Sequence, residues 1–150
     1  MQSNNKKDGD SSEQTHAHEY IREEIARKLG LDPDNFPEKK ISVGDSYVVV
    51  TGFSRDPNII CEASARIGET KAAQTHKIMN NALKMLFLEQ HLGGSFKKIL
   101  AFVDKEAARK FTGNGWHGAC LKRFGIETMV VDVPESIKQD ILQAQKRQYR

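Results

Sequence analysis

The chain has 150 residues, 38% of them apolar and 29% charged. That is globular composition, with length enough for one core and too little for two ordinary domains. No apolar run approaches the ~20 residues needed to cross a bilayer, so a membrane span is excluded, and the opening MQSNNKKDGDSSEQTH lacks the apolar segment of a signal peptide or anchor.

A cytoplasmic protein with no membrane partner is therefore expected. The net charge of +3 admits a polyanionic partner without requiring one. The two cysteines, Cys61 and Cys120, have no CxxC neighbour and read as reduced core residues.

In chain order, residues 1–17 are polar and aperiodic and predict a disordered N-terminal tail, leaving 18–150 as a single domain. From Glu19 to Leu29, Ile21, Ile25 and Leu29 recur every four residues and Gly30 follows, which predicts a first helix with a glycine stop. LDPDNFPEKK reads as a loop. ISVGDSYVVVTGF has the β-branched density of a strand, the turn signal SRDPN follows it, and NIICEASARI is a second extended run; strands joined so tightly pair antiparallel.

From Lys71 to Leu92 the period changes to 3.6, with Ile78, Ala82, Met85 and Leu86 near one face and Gln74, Lys77, Asn81 and Lys84 on another. Gly93-Gly94 closes that helix. KKILAFVD and IETMVVDVP are short apolar strands, the helical segment between them is interrupted around Gly113 to Gly115, and a last helix opens at Pro134. The order predicts an α/β fold: a mixed sheet, antiparallel hairpin plus parallel strands, flanked by helices.

The residue most out of place is Glu62, a carboxylate among Ile59, Ile60, Cys61 and Ala63. Such a group in a buried strand needs a partner. Alternation puts Ile60, Glu62, Ser64 and Arg66 on one face of the strand. If the turn is centred on Arg55 and Asp56, Val49 lies opposite Glu62 and Asp45 projects from the same face, so that Asp45 and Glu62 approach one cation. Asp56 is a poorer candidate, six extended residues from Glu62 at ~3.3 Å each.

Paired carboxylates suit Mg²⁺ or Mn²⁺, hard cations that keep waters for a phosphate to replace. Lys71 and Lys77, with Gln74 alongside, are the bases available to activate water. The alternative is a structural ion pair between Glu62 and Arg66 or Lys77.

CEASARIG, then KAAQTHKIMNNALKM, an apolar strand and a terminal AQKRQ resemble the PD-(D/E)xK nuclease-like, or restriction endonuclease-like, superfamily over residues 19–148. The resemblance implies a three-layer α/β/α fold and divalent-metal-dependent hydrolysis of nucleic-acid phosphodiesters, DNA before RNA. Carried over by position, Asp45 is the first metal ligand, Glu62 the second, and Glu24 an accessory carboxylate. Ser64 stands where the motif has lysine, so either the lysine has moved to Lys77 or Lys71 or the site binds without cutting.

The second reading is thus a catalytically inactive binding or assembly module on the same fold. Trp116-His117, in the glycine-rich break, is either a binding element or a packing plug, and that region or a hairpin edge offers a homodimer surface.

Overall fold

A strand of thirteen residues, as ISVGDSYVVVTGF would be, is longer than globular sheets use. The chain breaks it twice. In the structure, a computed structural model that describes residues 4–148, Gly44-Asp45 closes a two-residue turn between β1 (Lys39–Val43) and β2 (Ser46–Val50). Gly44 has φ +56°, which a side chain at that position would resist. After Thr51 the chain enters β3 (Gly52–Arg55), which turns through Asp56-Pro57 into β4 (Asn58–Ser64). One expected hairpin is therefore two.

β1 and β2 form a separate two-stranded sheet. The main sheet has the order β3-β4-β5-β6, with β5 at Lys97–Phe102 and β6 at Ile126–Val130; β3 is antiparallel to β4, and β4, β5 and β6 are parallel. The helices of the described residues are α1 (Asn4–Lys28), α2 (Ala72–Leu92), α3 (Lys105–Thr112), α4 (Trp116–Arg123) and α5 (Glu135–Gln148). The fold is α/β with a mixed sheet between helical layers, a three-layer α/β/α arrangement.

Strand alternation assigns the layers. Ile60, Leu100 and Phe102 pack with Ile78, Met85 and Leu88 of α2 and with Phe111 of α3. Ile59, Cys61 and Ile99 face the other way, against Ile21 and Ile25 of α1 and Ile137 and Ile141 of α5. Side chains such as Met85, Leu88 and Ile60 are fully buried, each stabilising by about 1.5–3 kcal/mol relative to exposure.

α1 begins at Asn4, inside the stretch whose composition predicts a tail, and residues 1–3 lie outside the described residues. Ala17 is buried with Ile21 and Ile25, so the apolar stripe runs one turn further back than Ile21. No helix among the described residues is long and apolar enough to cross a membrane.

Candidate functional site

Alternation places Glu62 on the same face of β4 as Ile60, as the sequence predicts; that face is turned to α2, and only 7% of Glu62 is exposed. The register differs. The turn pairs Arg55 with Asn58 and Gly52 with Cys61, so Thr51 is the residue across from Glu62 and Val49 lies two positions further away. The Thr51 N–H donates to Glu62 Oε1 at 3.1 Å, and the Thr51 hydroxyl accepts from the Ala63 N–H at 3.2 Å.

The partner of Glu62 is Lys84. Its Nζ donates to Glu62 Oε2 at 3.1 Å and to the carbonyl of Val49 at 3.0 Å. The structural pair expected with Arg66 or Lys77 is therefore made by a lysine two turns further along α2 than Lys77. Burial pushes the Glu62 carboxyl above the usual range, and the nearby Lys84 charge and the two hydrogen bonds only partly offset that desolvation. One residue back, the Cys61 thiol is fully buried and its pKa is raised far out of the reactive range, first by desolvation and then by Glu62.

Glu62 stands in the wall of a cavity of about 580 Å³ at the carboxyl end of β4, the end at which open α/β sheets bind ligands. Glu62, Ser64 and Arg66 line it from the strand. Gln74, Lys77, Asn81 and Lys84 line it from α2, spaced so that all four share one helix face. Asp140 and Gln145 of α5 form the far wall, and His18 of α1 lies at its edge. Gln145 is fixed by hydrogen bonds in both directions with the backbone of Ile67 (2.8 and 3.1 Å).

Three cationic side chains, Arg66, Lys77 and Lys84, meet two acidic ones, Glu62 and Asp140, an excess of one positive charge. Burial lowers the His18 pKa, with Glu38 opposing and Lys77 reinforcing that shift.

The structure thus brings Glu62, Gln74 and Lys77 together and leaves Asp45, Glu24 and Lys71 outside the cavity. Asp45 is exposed in the β1–β2 turn, and the intervening β2 strand holds it about 20 Å along the chain from Thr51, six residues at ~3.3 Å each. The reason is the pair of turns: the strand expected to carry Asp45 toward Glu62 ends at Val50. Glu24 is bound by Arg27 within α1. Lys71 is the exposed N-cap residue of α2, and its carbonyl accepts from the Thr75 hydroxyl at 2.9 Å.

Lys84, Thr51 and Asp140 are cavity residues that the sequence does not single out. The signal for Lys84 was present in the polar stripe Gln74, Lys77, Asn81 and Lys84. Nothing local marks Thr51 or Asp140. No group of three or more His, Cys, Asp or Glu side chains that would hold a metal ion occurs among the described residues.

Comparison of the chain with protein-family models, with curated proteins and with solved structures finds no match.

Proposed function

We propose that this cavity binds a phosphate group of a nucleic-acid backbone and that the chain is a binding module rather than a hydrolase. The observation that carries this reading is the state of Glu62. Both of its oxygens are engaged, one by the Thr51 N–H and one by the Lys84 ammonium, and the position across the hairpin is a threonine. Mg²⁺ or Mn²⁺ wants carboxylate oxygens with lone pairs to give and tolerates an ammonium on the same oxygen poorly. The donor set beside Glu62 does not suit a divalent ion.

What Glu62 does instead is hold Lys84. An ammonium clamped between a carboxylate and the Val49 carbonyl is positioned at the cavity wall, on the helix face that also carries Lys77 and Asn81. Nitrogen donors converging on a cavity with a small positive excess suit an oxyanion, and a phosphodiester offers two unesterified oxygens to such donors.

Metal-dependent hydrolysis, which the nuclease-like resemblance implies, is favoured by one feature, a desolvated acid beside a lysine at the cavity wall. The two readings separate in one experiment. Fluorescently labelled single- and double-stranded DNA and RNA of equal length are titrated with the protein in EDTA and again in Mg²⁺ or Mn²⁺, and the strands are then run on a denaturing gel. Binding in EDTA that weakens in Lys77→Ala, with intact strands in either metal, supports the binding module. Metal-dependent products that disappear in Glu62→Gln would overturn it in favour of the nuclease.

A further inference from the structure

The single tryptophan of the chain, Trp116, has 66% of its surface exposed. A ring of that size left open needs either a partner or a reason to be held out. It opens α4, directly after the Gly113–Gly115 break, and it is held firmly. His117 lies against it with ring centroids 3.9 Å apart, and His117 in turn meets the edge of Phe111 at 5.9 Å; Phe111 stacks on Phe102 at 5.5 Å, in the core. α4 also packs closely on the turn before it, since a Cβ on Gly118 would lie 2.3 Å from the Gly113 carbonyl oxygen. The indole is joined to the core through a chain of three rings, His117, Phe111 and Phe102.

The chain segment that carries it is basic. Between residues 105 and 123 the chain has Lys105, Arg109, Lys110, Lys122 and Arg123 against one acid, Glu106. Lys110 reaches across from α3 to the start of α2, donating to the Thr70 carbonyl at 3.2 Å and to the Thr75 hydroxyl at 3.1 Å. Desolvation lowers the His117 pKa, and Lys110 and His76 both lie near enough to lower it further. His76 belongs to this patch and its neighbour on α2, Lys77, to the cavity.

We propose that Trp116 is a stacking platform for one unpaired base of a nucleic-acid strand, with the basic residues around it contacting the flanking phosphates. An indole two-thirds exposed within a positively charged segment has the two features with which proteins hold single strands, an aromatic face for any base and cations for the backbone. The choice of partner rests on the nucleic-acid reading of the cavity, whereas the platform's residues are separate from the cavity's.

Because Trp116 is the only tryptophan, its own fluorescence reports the contact. Wild-type protein is titrated with a twelve-nucleotide oligothymidylate and with an abasic sugar–phosphate strand of the same length, and Trp116→Ala and Trp116→Phe are measured with labelled copies of both by anisotropy. The expected result is quenching by the thymidylate and none by the abasic strand. Trp116→Ala should bind the thymidylate about tenfold more weakly and the abasic strand unchanged, with Trp116→Phe between.

Thymidylate binding without quenching, or with equal affinity in Trp116→Ala, would overturn the platform. So would a wild-type dimer in sedimentation that becomes monomeric in Trp116→Ala, which would give the indole to a second copy of the chain. Failure of the cavity reading shows elsewhere, as unchanged affinity for both strands in Lys77→Ala.

Discussion

α2 carries two lysine–carboxylate pairs to the central sheet, and they behave oppositely. Near its middle, Lys84 meets Glu62 of β4 at the wall of an open cavity, and the carboxyl is pushed up because desolvation outweighs the lysine. Near its end, Glu89 meets Lys98 of β5 at 2.7 Å and also accepts from the Phe96 N–H at 2.8 Å. There the hydrogen bond from Lys98 leads in holding the carboxyl below its ordinary range, against a smaller desolvation cost. In the first pair the acid is the buried member (side chains 9% exposed for Glu62, 21% for Lys84); in the second it is the lysine (9% for Lys98, 23% for Glu89). The difference teaches which pair is a fastening and which is a site: Glu89 joins helix to strand with its charge well satisfied, whereas Glu62 sits where its charge is costly and presents a lysine to a cavity.

The largest effect that would sharpen this contrast is expected from Glu89→Leu. It leaves the Lys98 ammonium buried with only the Phe96 carbonyl at 3.3 Å, a loss of about 3 kcal/mol in urea unfolding. Nucleic-acid affinity of the folded variant should be unchanged. A Glu89→Leu variant as stable as the wild type would show that the second pair is not a fastening.

Lys84→Met should cost less, about 2 kcal/mol, because Glu62 keeps the Thr51 N–H and Lys84 is partly solvated. This cost depends on pH. The folded pKa of Glu62 is raised, so the native state takes up its proton more readily than the unfolded chain, and stability falls as pH rises from about 4.3 through the folded value. Removing Lys84 raises that pKa further. The deficit of Lys84→Met is therefore largest at pH 8 and shrinks as acid protonates Glu62. Glu89 has the opposite sign: its folded pKa is lowered, so its contribution is complete above about pH 4.3 and is lost as pH falls through the folded value. Stability curves of wild type, Lys84→Met and Glu89→Leu between pH 3 and 8 check both signs, and parallel curves would erase the distinction between the pairs.

Much of this architecture is legible in the sequence, and the site is half legible. The period of Lys71 to Leu92, the glycines after it and the apolar runs on either side of α3 and α4 determine element type, because each pattern matches one way of burying a face. The parity of Glu62 is legible for the same reason: it depends only on strand alternation. What is not legible is register. A turn centred one residue later moves the partner of Glu62 from Val49 to Thr51, and the Gly44-Asp45 turn inside a β-branched run sends Asp45 to an exposed tip. Lys84 is legible as part of a stripe and not as the partner of Glu62, since that pairing depends on how far α2 lies along β4. Asp140 comes from 78 residues beyond Glu62 by number and enters only through the packing of α5.

The smallest effect expected is also the one most specific to the cavity. Lys77 is exposed on the same helix face as Lys84, and no carboxylate among the described residues forms an ion pair with it, so Lys77→Ala should leave stability within about 0.5 kcal/mol of the wild type. Its ammonium is one of the charges a bound phosphate would meet. Affinity for an abasic strand at low salt should fall about threefold to tenfold, and the slope of log affinity against log salt should become shallower by about one. Glu89→Leu, at the other end of the helix, should leave that slope untouched. A shallower slope in Lys77→Ala alone would identify the Glu62 end of α2 as the end that meets phosphate. Equal slopes in all three proteins would mean that the cavity's cations contact no backbone phosphate, and that the Glu62–Lys84 pair is a second fastening whose desolvation cost the packed helix tolerates.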